Sequence, residues 1–487
     1  MKNIKYYFLL AAALAFIVSG CSTVVNNHYQ KGSLVGNYLD GDNSDAVDEV
    51  SDKVDSRENT GDEIVWRLEA CALYFYNGMY EEALKNMEAT EKLMEEYDNR
   101  AVVSARDVGS EAGSVITNPN AIPYKGWARD RIVLNIYKAL TYLALGREDS
   151  FRAQVKRLRD AQKQVQQEFA DEFKREQEQL HAEDWGDQDA REKKVFNKYP
   201  RMSRGVDEMR KIAHKGYGNF LNPLGLYLSA LCNLRDGDWS SAAIDTQRMH
   251  EALPGNTFVS QLHATVCKRA GRSLPPDMSS ASPFSFPIDQ NCLYVVFSNG
   301  RGAAFEPEGI HVVAEVSWPR LTTYTAPYRD LTVTANGTSV STAPIANMDA
   351  ILAQEFDARL PVIITRIAAS TIVKEGVKYG GLAVALSSRN STAQIVGLSV
   401  YFGMMIYNYI MNTADTRAWE LLPKEYQVAQ IPMPQDHKVH LKLNSPNGGE
   451  VMSFDYDFEG NAPSGVLFVN APSYDNVTTA FLPFTSK

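Results

Sequence analysis

The residues in this chain with the clearest chemical potential are its cysteines and histidines. Cys21 closes the segment MKNIKYYFLLAAALAFIVSGCS, which opens with Lys2 and Lys5 and runs uncharged and apolar from Phe8 to Val18. That run has the length of a signal-peptide hydrophobic region and is too short to span a bilayer. Val18, Ser19 and Gly20 set one aliphatic and two small residues directly before the thiol. The spacing predicts cleavage before Cys21. The competing reading is an ordinary cleaved signal that contains a cysteine.

The other four cysteines are Cys71, Cys232, Cys267 and Cys292, and none belongs to a CxxC pair. Neither a zinc site nor a thioredoxin-type motif is therefore expected. Cys232 and Cys267 fall in neighbouring predicted helices and are a candidate disulfide in an oxidising envelope; buried free thiols are the alternative. His437 and His440 are three apart in a predicted strand, so they face opposite sides and cannot share a metal. SNGRGAAFEPEG, residues 298–309, carries glycines after a strand but lacks the Gly-Lys-Ser/Thr ending of a phosphate loop, and reads as a β-turn. Asp415, Arg417 and Trp419 read as a helix-to-strand junction held by an ion pair. No GxSxG, HExxH or dinucleotide fingerprint occurs. The expectation is a protein with no catalytic residues, no cofactor and no metal.

What positions these residues is read from composition and period. A chain of 487 residues predicts two or three domains, and 44% hydrophobic with 22% charged residues is ordinary for a globular core. A net charge of −10 with no basic stripe interleaved by aromatics argues against nucleic acid. Five segments are predicted: a signal peptide (1–20), a lipidated acidic tether (21–62), a helical repeat domain (63–273), a Ser/Pro-rich linker (274–287) and an α+β domain (288–487). The tether assignment rests on ten acidic residues from Asp40 to Glu63 and few large apolar groups.

Within 63–273, Gly78, Tyr80 and Ala83 follow Cys71 and Tyr74 at small-aromatic-turn-aromatic-small spacing. Ala139 and Gly146 repeat the offsets, as do Ala230, Gly237 and Ala242. Ala264 and Gly271 lie 34 residues beyond Ala230 and Gly237, the period of a tetratricopeptide repeat. Two stretches interrupt the array: a long loop at 98–128, of the length that is often functional, and an extended helix at 148–182 with one apolar face. The region 288–487 is predicted as an antiparallel sheet or sandwich with inserted helices at about 348–377 and 390–412. Residues 395–411, IVGLSVYFGMMIYNYIM, are uncharged; a core helix, an oligomer or membrane-surface contact, and a true span are all compatible with them. The fold class expected is therefore α+β and multidomain, with an all-α repeat array first.

The motif at Cys21 resembles the lipobox of bacterial lipoproteins, which implies acyl chains on that cysteine, and by the same resemblance the uncharged Ser22 implies sorting to the outer membrane. PYKGWARDRIVLNIYKALTYLALGREDSFRAQVKRLRDAQ, CLYVVFSNGRGAAFEPEG and ARLPVIITRIAASTIVKEGVKYGG are similar to segments of a family of uncharacterised bacterial tetratricopeptide-repeat lipoproteins. The resemblance implies an outer-membrane, lipid-anchored protein facing the periplasm, with a weak link to cell-wall assembly. The expected role is a non-catalytic adaptor that binds envelope proteins, with a homo-oligomer as a further candidate. The alternatives are a glycan-binding outer-membrane lipoprotein and an oligomeric pore or secretion component.

Overall fold

The computed structural model describes residues 27–104, 123–162, 167, 188–218, 221–309, 317–361, 363–364 and 414–485. Helices occupy the amino-terminal half and sheets the carboxyl-terminal part. Cys21 and residues 395–411 lie outside the described residues, as do most of the loop at 98–128 and of the extended helix at 148–182.

The stretch expected to be a tether is folded from residue 27 onward. It forms α1 (Asn27–Gln30), α2 (Gly32–Asp40) and α3 (Asn43–Ser56). Leu34, Val35 and Tyr38 of α2 and Ala46, Val50 and Val54 of α3 are buried in the main core. Ala46, Val50 and Val54 recur every four residues, so one stripe of α3 is apolar although its other faces are acidic. Counting charge across the segment hides that stripe.

Helical hairpins follow. The helices are α4 (Glu63–Tyr76), α5 (Tyr80–Ser104), α6 (Ala128–Ala144), α7 (148–162), α8 (Gln188–Lys198), α9 (Pro200–Ala213), α10 (Pro223–Arg235), α11 (Trp239–Ala252) and α12 (Thr257–Ala270). Four helix ends share one geometry. Gly78, Gly146, Gly237 and Gly271 all have φ between 67° and 74°. The amide after each glycine donates to the carbonyl five residues back: Met79 to Tyr74, Arg147 to Tyr142, Asp238 to Asn233 and Arg272 to Cys267. This left-handed cap satisfies a carbonyl the helix leaves open and turns the chain into its next helix. Ala83, Ala139, Ala230, Ala242 and Ala264 are all buried, where a small side chain permits close helix approach. Tyr80 packs partly buried against the same core.

The sheets are built from β1 (Cys292–Arg301), β2 (Ala304–Gly309), β3 (Ser317–Thr322), β4 (Asp330–Ala335), β5 (Thr338–Ser341), β6 (Ala343–Asn347), β7 (Pro423–Pro432), β8 (Lys438–Asn444), β9 (Glu450–Asp457), β10 (Ser464–Ala471) and β11 (Thr478–Phe484). A further helix, α13, covers 348–361. The central sheet has the order β11-β10-β1-β7-β6, and a second sheet the order β5-β4-β8-β9. The central sheet is mixed rather than antiparallel: β1 runs parallel to β10 and antiparallel to β7. After the β8–β9 hairpin in the second sheet, the chain re-enters the first beside β1 and in its direction.

Strand β1 sits between two cores. Leu293, Val295 and Phe297 face the second sheet, whereas Cys292, Tyr294 and Val296 face the helices. A strand covered on both faces reads as a continuous apolar run, which is what CLYVVF is. The layers are thus helix, sheet, sheet. This arrangement corrects the expected division at a linker. One core contains α4, α6 and α10 together with β1, β7, β10 and β11, and the supposed linker buries Met278 and packs Phe284 and Phe286 on that core. An amphipathic helical layer and a two-sided sheet each need a partner for their apolar faces. Here each is the other's partner.

Candidate functional site

Residues 414–422 pass between the helical layer and the start of β7, and buried charges from several elements gather on them. Glu69 projects from α4, whose other buried residues are apolar apart from Glu63 at its first turn. Its carboxylate accepts the Nζ of Lys31 at 2.7 Å and the backbone amides of Glu420 and Leu421 at 2.8 and 3.0 Å. Lys31 Nζ also donates to the carbonyl of Ala418 at 2.6 Å. Burial pushes the Glu69 carboxyl upward; Lys31 pulls against that shift. A buried carboxylate with this many donors is satisfied, as a charge removed from water must be.

Glu420 in turn meets His28 Nδ1 at 3.3 Å and Arg301 Nη2 at 3.2 Å. On α6, Arg129 pairs with Asp130 at 2.9 Å and donates to the carbonyl of Trp419 at 3.0 Å. The amino end of α6 points at Glu355 of α13, whose carboxylate accepts the amides of Ala128 at 2.7 Å and Arg129 at 3.2 Å. Those are open donors of a helix start, where negative charge is favoured. Burial raises the Glu355 carboxyl, and Arg359 opposes the rise. Arg417 bridges Asp415 at 2.8 Å and Asp62 at 3.3 Å. Three tyrosine hydroxyls complete the junction: Tyr76 to Tyr137 at 2.5 Å and Tyr137 to Tyr426 at 2.6 Å. Burial raises all three phenols, so they remain protonated and can act as hydrogen-bond donors.

Chemically, this arrangement holds the molecule together. Every acid named has a cation or backbone donor as its partner, and Trp419 at the centre is fully buried. The junction ties α1–α2, α4, α6 and α13 to the entry of β7.

The structure keeps the sequence candidates apart. Asp415 and Arg417 do pair, and Arg417 reaches Asp62 as well. His437 occupies a turn before β8 with φ of 54°, while His440 faces outward and meets Asp455 at 2.8 Å. The glycine-rich stretch 298–309 forms the end of β1, a short link and β2. There the amide of Gly302 goes to the carbonyl of Leu422 and that of Ala303 to Asp349, at 2.9 and 2.7 Å, which leaves those amides committed within the fold. Cys71, Cys232, Cys267 and Cys292 are buried free thiols. The candidate bond between Cys232 and Cys267 is not formed: α11 packs against both α10 and α12, which carry them, and Cys267 instead contacts His263 Nε2 at 3.4 Å.

Lys31, Glu69, Arg129, Glu355 and Glu420 were not singled out in the sequence. A signal existed for Glu69, a charge on the apolar stripe of EIVWRLEACALYFY. None existed for its partners, which come from α1–α2 and from 351 residues further on. Among the described residues, no group of three or more His, Cys, Asp or Glu could hold a metal. Among them, too, no helix is long and apolar enough to cross a membrane. An open depression beside α8 and α9 is lined by Asp189, Glu192, Lys193, Phe196, Asn197 and Arg210. Arg210 spans it, bound to Glu192 and to Asp357. No family model, curated protein or solved structure matches the chain.

Proposed function

We propose that this protein is a lipid-anchored, non-catalytic adaptor of the bacterial envelope, acylated at Cys21 and held at the periplasmic face of the outer membrane. Its helical hairpins are read as tetratricopeptide-type units that present a surface to an envelope protein. The observation that carries this reading is the recurrence of one left-handed cap at Gly78, Gly146, Gly237 and Gly271 with buried alanines beside it. Stacked hairpins of that kind offer extended binding faces.

The surface on offer differs from a free groove. Tyr76, Tyr137 and Tyr227, on the first helices of successive hairpins, face β7 and β10: Tyr137 bonds Tyr426, and Tyr227 accepts from Gln430 at 3.1 Å. The chain's own sheet fills that side. The outer helix α5 remains; Glu81, Glu82, Glu88 and Glu95 outnumber Lys85 and Lys92 among its exposed charges, so it suits a partner with a basic surface. Site-specific photo-crosslinking in cells tests this. A probe at Glu82 or Glu95 should trap a discrete envelope protein, and a probe at the exposed Tyr474 in the β10–β11 loop should not. Equal trapping, or none from α5, would overturn the assignment. The loop at 98–128 needs a narrower deletion than its bounds suggest. Asp98 binds Arg131 and Tyr124 binds Asp130, so a deletion must keep Asp98 and Tyr124.

A further inference from the structure

We infer that the outer face of α8 and α9 is a bilayer-contact surface for anionic phospholipid headgroups, lying beside the anchored terminus. Its position relative to the membrane rests on acylation of Cys21; its charge does not.

The first observation is where the body begins. Asn27 opens α1 six residues after Cys21, and six residues reach at most about 20 Å when fully extended. The body is therefore held close to the membrane, and the end carrying α1 must face it. α1 packs on β2, β2 pairs with β3, and α9 packs on β3. Gly205 of α9 lies against Arg320 of β3 and Glu308 of β2. The α8–α9 pair thus reaches α1 through the β2–β3 ladder, α1 on β2 and α9 on β3. Thr416 is beside α1 too: the amide of His28 donates to its Oγ1 at 3.4 Å.

The second observation is charge. Residues 188–215 hold nine Lys or Arg against four Asp or Glu, in a chain whose net charge is −10. The two sides of the pair are segregated. Val195, Tyr199, Met202, Val206 and Met209 face Phe305 and Trp318 in a buried cluster. Lys193, Lys194, Arg201, Arg204 and Lys211 are exposed, with Asp189, Asp207 and Glu208 the exposed acids among them. The apolar stripe is spent on packing and the cations are turned outward. Tyr29, on α1, is 65% exposed, as suits an aromatic ring at the headgroup level.

Each Lys or Arg near an anionic leaflet contributes about 1 kcal/mol, falling off within a Debye length. Stable anchoring commonly combines acyl chains with such a basic patch. The anchor supplies proximity and α8–α9 supplies orientation, which requires α11 to stand farther from the lipid than α8.

A fluorophore is placed at Asn197→Cys on α8 or at Ile244→Cys on α11, in the full mature protein. Both positions are exposed, whereas the four internal cysteines are at most 3% exposed. Vesicles carry a headgroup quencher in phosphatidylcholine with or without phosphatidylglycerol. Quenching at 197 is expected to exceed that at 244 several-fold with phosphatidylglycerol. High salt, or the variant Lys193→Glu/Lys194→Glu/Arg204→Glu, should abolish the difference. Equal quenching at both sites, or indifference to phosphatidylglycerol, overturns the proposal. The mass of the peptide carrying Cys21 reports acylation separately. Acylated protein with equal quenching sinks the surface and leaves the anchor. Unacylated protein that floats only with phosphatidylglycerol vesicles, and in a salt-sensitive way, does the reverse. Unacylated protein that does not float sinks both.

Discussion

Lys31 and Glu69 form an ion pair of 2.7 Å in which neither side chain reaches solvent. Lys31 belongs to the segment between α1 and α2, the part expected to be a tether, and Glu69 to the first helical hairpin. The pair also orders the backbone at 418, 420 and 421. It therefore joins the amino terminus, the helical layer and the approach to the central sheet at one point.

Breaking that pair should be costly, and unequally so. Glu69→Leu strands a buried ammonium and two backbone amides and should lose about 3–5 kcal/mol. Lys31→Met should lose less, because Glu69 keeps its two amide donors and, with its carboxyl already raised, can take a proton. Urea denaturation at neutral pH measures both. Equal losses would mean that the amides contribute nothing.

Removing residues 27–56 should unfold the protein rather than free it from a tether. The deletion takes Leu34, Val35, Tyr38, Ala46, Val50 and Val54 out of the core. Burying a single aliphatic side chain contributes about 1.5–3 kcal/mol, and a domain's whole stability is about 5–15 kcal/mol. Loss of the cooperative thermal transition is the expected result.

The glycine caps predict a purely conformational penalty. An added Cβ at Gly237 meets nothing within 4 Å, yet φ there is 74°. Gly237→Ala should cost about 1–2 kcal/mol from backbone strain alone, seen as a lower melting temperature with unchanged circular dichroism.

Glu355 predicts a pH dependence with a definite sign. Burial raises its folded pKa above the ordinary value of 4.5, so between those two values the folded state binds the extra proton. Stability linked to this group then rises as pH falls through the raised value, and it levels off below 4.5. Glu355→Gln removes that slope. Relative to the variant, the wild type should gain stability from neutral to mildly acidic pH.

The internal thiols should resist modification. Burial pushes the thiol of Cys71 up to about 12 and that of Cys292 higher still, and the thiolate is the reactive form. Under native conditions Cys71, Cys232, Cys267 and Cys292 should not react with iodoacetamide, and all four should react in denaturant. Mass spectrometry counts the adducts. Persistent protection of Cys232 and Cys267 in denaturant without reductant would reveal a bond between them.

Much of the local structure was legible because it is set by nearby residues. The hairpin at Gly78 is written in the spacing from Cys71 to Ala83, and β1 in the run CLYVVF. α3 was legible but missed: Ala46, Val50 and Val54 carry the period, while their acidic neighbours dominate the composition. The polar junction was not legible. Glu69 is a charge in a mostly apolar helix, and nothing near it in the chain names Lys31, Ala418, Glu420 or Leu421 as its partners.

The sequence by itself determined where chain direction changes and which faces are apolar, since caps and period act over a few residues. Only the tertiary structure decided what covers those faces. The helical layer and the central sheet each expose an apolar side, and burying both against each other removes two water-exposed surfaces at once. That choice covered the inner side of the helical hairpins with the chain's own sheet and drew residues 27–56 into the body.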